Sequence, residues 1–134
     1  MVASLHYKLQ GSRAETTRRL IKAIRNPNVD VIGHPSARLL GHRDATEFDL
    51  DEVLHMAREE GCAIEVNSQP DRLDLTDTAC MAAKRAGVKL VISSDSHSPR
   101  DFELLQYGVN QARRGWVEAA DLLSTRPLKS LHLR

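Results

Sequence analysis

The sequence predicts an α/β fold in which four strand-helix units form a parallel sheet. Short apolar runs alternate with segments in which apolar residues recur every three or four positions, and turn-forming residues separate the two kinds of segment. Such repeats imply right-handed crossovers, in either an open, doubly wound sheet or part of a barrel. A chain of 134 residues that is 41% hydrophobic can bury one core, so we expect a single domain.

The first unit consists of a short apolar strand and an amphipathic helix. Val2–Leu5 is the strand, and the buried face of the helix is formed by Thr17, Leu20, Ile21 and Ile24. Asn26-Pro27-Asn28 ends the helix, because proline has no backbone N–H to donate. The second strand is Val29–Gly33.

The second helix has recognisable ends. Asp49 can cap its first turn with Glu52 three residues later, and Gly61 suits the left-handed residue that closes a helix. The remaining predicted elements, in order, are a strand at Ala63–Asn67, a helix from about Asp74 to Gly87, a strand at Lys89–Ser93, and C-terminal helical pieces at Phe102–Arg114, Val117–Leu123 and Pro127–Leu133.

Composition excludes several classes of protein. Nineteen Lys and Arg against eighteen Asp and Glu give a formal net charge of +1, so no global field recruits nucleic acid. Cys62 and Cys80 form no paired motif, and we expect buried thiols in a cytoplasmic protein. There is no apolar run long enough to span a membrane, and the GxGxxG, GxxxxGK[ST] and GxSxG motifs do not occur. Dinucleotide, P-loop and serine-hydrolase sites are therefore unsupported.

Polar side chains follow the ends of the four predicted strands. They are His6, His34, Asn67, and Asp95 together with His97. The carboxyl ends of parallel strands meet at one rim, where sites of α/β folds collect. Three imidazoles and a carboxylate are donors that suit Zn or Mn, so we expect a metal site there.

Each part of this pattern is weak alone, since a single strand-end histidine can equally be a structural, hydrogen-bonded one. Asp95 and His97 are two apart, so in an extended segment they point to the same side. Pro35 stiffens the loop that presents His34. We expect His55 and His132 to be structural, and Trp116 to be a packing anchor.

Further residues near these strand ends are candidates for substrate binding or for supporting the ligands. Arg38 and Arg43, beside His42, could hold phosphate oxygens, although a solvated loop explains them equally well. Arg72 and Asp74, just after Asn67, could also orient substrate, although Asp74 could equally cap a helix. Glu65 and Asn67 share one face of their strand, and Glu65 could support a ligand histidine.

Taken together, the motifs resemble the PHP (polymerase and histidinol phosphatase) domain, and most closely the C-terminal half of that domain in bacterial X-family DNA polymerases. The resemblance covers nearly the whole chain. It rests on Ala3-Ser4-Leu5-His6, Asn26-Pro27 through Val31-Ile32-Gly33-His34-Pro35 with Arg38-Leu39-Leu40, Glu65-Val66-Asn67 with Arg72-Leu73-Asp74-Leu75, Ser94-Asp95-Ser96-His97, and Tyr107-Gly108 through Ala112-Arg113-Arg114-Gly115-Trp116.

The resemblance implies four βα units and C-terminal helices from a distorted (β/α)7 barrel, whose rim binds three metals and hydrolyses phosphoesters. In such polymerases the domain acts as a 3′-5′ exonuclease and repair phosphatase. His6 and His34 would bind one metal, Asp95 another and His97 a third, which makes these four the expected metal-binding and catalytic residues. The family's opening HxH motif, a further histidine and a bridging glutamate have no counterpart in residues 1–134.

We therefore expect residues 1–134 to form a single partial PHP domain, either a fragment or a half that pairs with a second copy to close a barrel. A closed β/α barrel needs about 200 residues or more, and a four-stranded sheet leaves two exposed edges. The expected substrates are DNA 3′ ends or small phosphoesters. An inactive fragment serving as a scaffold or binding module is an alternative, as is a phosphatase of the histidinol-phosphate type.

Overall fold

The structure is a computed structural model that describes residues 1–131. His132 and Leu133, which belong to the last predicted helical piece, lie outside the described residues. The strands are β1 (Val2–Ser4), β2 (Val31–Gly33), β3 (Ala63–Asn67) and β4 (Leu90–Ser93), and the α-helices are α1 (Arg13–Ile24), α2 (Leu50–Glu60), α3 (Asp77–Ala86) and α4 (Leu105–Arg114). Short 3-10 segments follow at Pro99–Leu104, Ala119–Asp121 and Leu128–Ser130.

The four strands form one sheet in the order β1-β2-β3-β4, and all neighbours are parallel. The register aligns Ser4 with Gly33, and Asn67 with Ser93, so the carboxyl ends of the strands meet at one edge. The α/β prediction is confirmed, and the architecture is compatible with part of a PHP barrel.

Local signals set most helix ends. Asp49 accepts a hydrogen bond from Glu52 N at 3.0 Å, and Gly61 closes α2 in the left-handed conformation, as predicted. The predicted start of α3 at Asp74 is wrong. Thr76 caps that helix by accepting from Ala79 N at 3.1 Å, because the Asp74 carboxylate binds another loop.

The C-terminal region is less helical than predicted. The expected helix at Val117–Leu123 is only a 3-10 turn, and the chain then runs beside β4. Leu123 N donates to Leu90 O at 2.9 Å, and Ile92 N donates to Ser124 Oγ at 3.2 Å. These bonds cover part of the β4 edge, where the sequence predicted an exposed edge. Within residues 1–131, the edge at β1 is open, as predicted, and Val2 on it is 60% exposed.

Apolar residues between the sheet and the helices form the core. Its most deeply buried large members are Leu20, Ile24, Ile32, Leu54, Ile64 and Leu90. Burying each such side chain contributes about 1.5–3 kcal/mol. Cys62 and Cys80 are buried free thiols, as predicted, and burial raises the pKa of Cys80 to about 12.

Trp116 was expected among the packing residues, but the structure shows that this is wrong. Trp116 is 73% exposed, and the neighbouring Gly115 is the residue that packs closely against α3. No helix within residues 1–131 is both long and apolar enough to cross a membrane.

Two loops are joined beside the strand ends. The buried carboxylate of Asp74 accepts hydrogen bonds from Ser36 N at 2.9 Å and from Ser36 Oγ at 2.8 Å. Arg38 adds a bond from Nε to Arg72 O at 2.6 Å and a second from its guanidinium to Leu73 O. Burial raises the pKa of Asp74 above its ordinary value, and the bonds from Ser36 oppose that shift.

We expect Gly115→Ala to destabilise the fold. The added methyl group would lie 2.6 Å from Cys80 Cβ and 2.7 Å from the Asp77 carbonyl oxygen, and neither atom can move away cheaply. The predicted loss is about 1–3 kcal/mol in the free energy of unfolding, measured by urea denaturation. Gly11→Ala is the matched control, because its methyl group comes closest to the flexible end of Glu15 and lies in ordinary contact, at 3.7 Å, with the Lys8 carbonyl oxygen. Equal stability of the two variants would contradict this packing.

We expect Asp74→Asn to become more stable relative to wild type as pH rises. Because the folded-state pKa of Asp74 is raised, ionisation above the unfolded value of 3.8 destabilises the folded state, whereas an asparagine does not ionise. Asp101→Asn provides the opposite case. The hydrogen bond from His97 N lowers the pKa of Asp101. The ionised Asp101 carboxylate therefore stabilises the folded state above its unfolded pKa, and this stabilisation is lost as pH falls. Urea denaturation between about pH 3 and 7 measures how the difference in unfolding free energy between each variant and wild type changes with pH. The two differences should change in opposite directions, and changes in the same direction would refute the opposite pKa shifts of Asp74 and Asp101.

Candidate metal centre

The rim at the carboxyl ends of the strands contains all four predicted ligands. His34 directly follows β2, and His6 lies two residues after β1. Asp95 and His97 lie two and four residues after β4. The parallel register therefore brings residues from distant parts of the sequence to one edge, as the strand-end pattern predicted.

His6 and His34 form the first pair of potential ligands. Their ring centroids are 5.2 Å apart and the rings are nearly perpendicular, at 78°. His34 is buried, and its Nδ1 makes no hydrogen bond within residues 1–131. Because a buried ring nitrogen without a partner costs free energy, this atom fits a role in binding a cation. The adjacent imidazoles are donors of the kind that Zn and Mn accept.

Asp95 and His97 form the second pair. His97 Nε2 lies 3.8 Å from Asp95 Oδ1, and the His97 side chain is largely exposed. The loop that carries His97 is held by Asp101, whose carboxylate accepts from His97 N at 2.8 Å and from Ser98 N at 2.9 Å. This pair is therefore presented to solvent by a hydrogen-bonded turn.

Glu65 and Asn67 connect the two pairs. Glu65 Oε2 accepts from His34 N at 2.6 Å and from Asn67 Nδ2 at 3.3 Å, and Glu65 Oε1 accepts from Ser93 Oγ. Asn67 Nδ2 also donates to Asp95 Oδ2 at 3.0 Å. The predicted supporting role of Glu65 thus acts on the His34 backbone, and a continuous chain of contacts runs from His34 to Asp95.

The predicted arginines differ in what their guanidinium groups contact. Arg38 donates to the carbonyls of residues 72 and 73, and Arg43 donates to Ala37 O at 2.7 and 3.0 Å. Both guanidinium groups bind backbone carbonyls, and Arg38 also lines the cavity near Ser36 and Asp74. Arg72 is different, because its Nε lies 3.6 Å from Asp95 Oδ2 while its buried Nη1 has no hydrogen-bond partner in the described part of the chain.

The rim does not form a complete metal cluster by itself. Among residues 1–131, no group of three or more His, Cys, Asp or Glu side chains is arranged to hold a metal ion. Of the histidines predicted to be structural, His55 is exposed on α2, away from the strand ends, and His132 is outside the described residues. A cavity of about 520 Å³ lies beside the rim near Ser36 and Asp74, and none of the four predicted ligands lines it.

Sequence reasoning missed Gln69 and Asp101 as contributors to the site. Gln69 Nε2 donates to Ser94 O at 2.8 Å and to Asp95 O at 3.1 Å, and so fixes the backbone that carries Asp95. Asp101 follows Ser98 by three residues, which is the spacing of a capping box and could have been recognised. No sequence signal identifies Gln69, since its partners depend on how two loops meet.

The chain is similar to proteins that are named for phosphoester chemistry. It is 37% identical over 131 residues to the DNA polymerase/3'-5' exonuclease PolX of Bacillus subtilis, a match that covers 98% of the chain and 23% of that protein. It is 33% identical over 134 residues to a probable phosphatase of Thermoanaerobacter sp. strain X514, covering 93% of the chain and 52% of the relative.

A probable phosphatase of Clostridium acetobutylicum is 30% identical over 105 residues, which are 72% of the chain and 41% of that protein. No protein-family model matches the chain. The chain spans from about a quarter to about half the length of these relatives. This homology to PolX and to probable phosphatases supports a PHP-type domain.

Proposed function

We propose that the chain is the C-terminal part of a distorted (β/α)7 PHP barrel and forms part of a metal-dependent phosphoesterase. The observation that carries this proposal is the run of contacts along the strand ends, from His34 through Glu65 and Asn67 to Asp95. The names of the relatives support phosphoester hydrolysis. The specific role is that of a 3′-5′ exonuclease and phosphatase in DNA repair, within a bacterial X-family polymerase in the cytoplasm.

The proposed cofactors are divalent cations, Mn or Zn. His6 and His34 would hold one, Asp95 another and His97 a third. When bound, such cations lower the pKa of a coordinated water and offset negative charge on a phosphoryl group. The unpartnered Nδ1 of the buried His34 ring supports this assignment.

The chain's own polar groups fix the positions of these ligands. Glu65 fixes the His34 backbone by accepting from its N–H, and Asn67 orients the Asp95 carboxylate by donating to it. Gln69 holds the Asp95 backbone by donating from its side-chain Nε2 to the backbone carbonyl oxygen of Asp95. A ligand set that is held before the substrate arrives needs little reorganisation during the reaction.

Arg72 is the proposed phosphate-binding residue. Its guanidinium is mostly buried and lies beside Asp95, and Nη1 has no partner within residues 1–131. A guanidinium can donate two parallel bonds to phosphate oxygens. Arg72 would therefore hold the substrate phosphoester against the ligands that follow β2 and β4.

The remaining ligands would come from the N-terminal half of the barrel or from a second copy of the chain. The open edge at β1 could accept a further strand. DNA 3′ ends or small phosphoesters are the proposed substrates, and a phosphatase of the histidinol-phosphate type is a further alternative. The lack of a three-residue metal group among residues 1–131 favours a second candidate for the isolated chain, an inactive fragment that acts as a scaffold or binding module.

We expect His34→Ala and Asp95→Asn to weaken Mn²⁺ binding to the chain, measured by electron paramagnetic resonance. Supporting residues alone contribute 10–100-fold to metal affinity, so loss of a ligand should cost about 100-fold. Release of the 3′-terminal nucleotide from a labelled oligonucleotide should fall in parallel, assayed with the chain alone and with the complementary half of the barrel added. His55→Ala, an exposed histidine on α2, is the control. Unchanged Mn²⁺ affinity and cleavage in both site variants would refute the assignment, and no cleavage by any complemented protein would favour the scaffold.

We expect Arg72→Lys to raise KM for the oligonucleotide with a smaller change in kcat. A lysine keeps the charge but cannot donate two parallel bonds, and a hydrogen bond to a charged group contributes about 1.5–3 kcal/mol, or roughly 10–100-fold. Steady-state kinetics of the complemented protein measure this effect. Arg18→Lys, an exposed change on α1, is the control. A KM that stays at the wild-type value would remove Arg72 from phosphate binding.

A further inference from the structure

An exposed aromatic residue, Tyr7, comes next in the sequence after His6 of the first candidate ligand pair. Tyr7 directly follows His6, and 71% of Tyr7 is exposed. Because consecutive Cα atoms are about 3.8 Å apart, the backbone of Tyr7 is next to that of His6, one member of the first pair of candidate ligands. A large aromatic side chain in this position gains little from the core, because it is mostly in solvent.

Arg19 on α1 holds this ring in place. Its Nη2 donates to Tyr7 O and its Nη1 donates to Lys8 O, each at 2.9 Å. The guanidinium carbon lies 5.3 Å from the centroid of the Tyr7 ring, which is a cation-π contact. The ring is therefore supported from one side by a fixed cation while most of its surface remains open.

The other exposed aromatic residues lack this support. Phe102 is 64% exposed before α4, Tyr107 is 41% exposed on α4, and Trp116 is 73% exposed after that helix. Within residues 1–131, Tyr7 has the cation-π contact and these three residues have none. Tyr7 therefore combines a ring that Arg19 supports before a ligand binds with a position directly after candidate ligand His6 in the chain.

We infer that Tyr7 stacks on the base of the nucleotide whose phosphoester lies at His6 and His34. This inference rests on the proposed function and extends it to a class of substrate, the nucleotide at a DNA 3′ end. Stacking on an aromatic side chain tolerates every base, because each base has a π face. Tyr7 then favours nucleotides over phosphoesters that have no base, and does not discriminate among bases.

The test compares dAMP with ribose 5-phosphate, which has no base. The chain has two tyrosines, so ring-labelled tyrosine gives two sets of NMR signals, which Tyr7→Phe and Tyr107→Phe assign. We expect dAMP to shift the Tyr7 ring signals upfield in a saturable way and to leave those of Tyr107 unchanged. Ribose 5-phosphate should not produce this upfield shift.

Variants supply the second measurement. Tyr7→Leu keeps the apolar bulk but removes the π face, and should weaken dAMP binding roughly tenfold without affecting ribose 5-phosphate binding. Tyr7→Phe should bind dAMP like wild type, and Tyr107→Leu is the matched control. Absence of a dAMP-dependent shift of Tyr7, or equal dAMP affinity of Tyr7→Leu and wild type, overturns the inference.

Failure of this inference can be told apart from failure of the proposed function. Mn²⁺-dependent cleavage by the complemented protein, together with a Tyr7 ring that does not respond to dAMP, overturns only the stacking role. Stacking on dAMP without cleavage under any metal supports the role of Tyr7 as a nucleotide-binding residue and removes the hydrolytic function.

Discussion

The buried carboxylate of Glu65 holds three strand ends together, and the arrangement of the rim depends on it. It accepts hydrogen bonds from the backbone of His34 after β2, from Asn67 on β3 and from Ser93 on β4. A buried charge without partners would cost several kcal/mol, so these donors and the carboxylate require one another. Gly33 contributes by its lack of a side chain, because a Cβ there would collide with Ser4 and lie 3.4 Å from Glu65 Oε2.

The backbones of two candidate ligands are held in uncommon conformations. His34 has φ of 28° and Asp95 has φ of 48°, in the region that L side chains rarely adopt. Such conformations cost of order 1–3 kcal/mol each and persist where surrounding contacts determine them. Here those contacts are Glu65 to His34 N and Gln69 to Asp95 O. The sheet and its loops therefore sustain a geometry that the local sequence would not choose.

Arginines around the rim divide into two kinds according to what they contact. Arg19, Arg38 and Arg43 each donate to backbone carbonyls and so fix the loops that follow β1 and β2. Arg72 retains an unpartnered donor beside Asp95. Because all four side chains have the same chemistry, the distinction arises only from the loop geometry around each one.

Local patterns in the sequence were enough to predict the α/β class, the strand ends, the buried thiols, and the cap and closing glycine of α2, since each depends on residues close together in the chain. The presence of His6, His34, Asp95 and His97 at the strand ends follows from the same patterns. Tertiary structure decided that Asp74 binds Ser36 instead of capping α3, that Trp116 faces solvent, and that the segment after α4 covers β4. It also decided that Glu65 and Asn67 join the two ligand pairs. These features depend on loops from different units meeting in space, and no periodicity or local propensity specifies which donors will face which acceptors there.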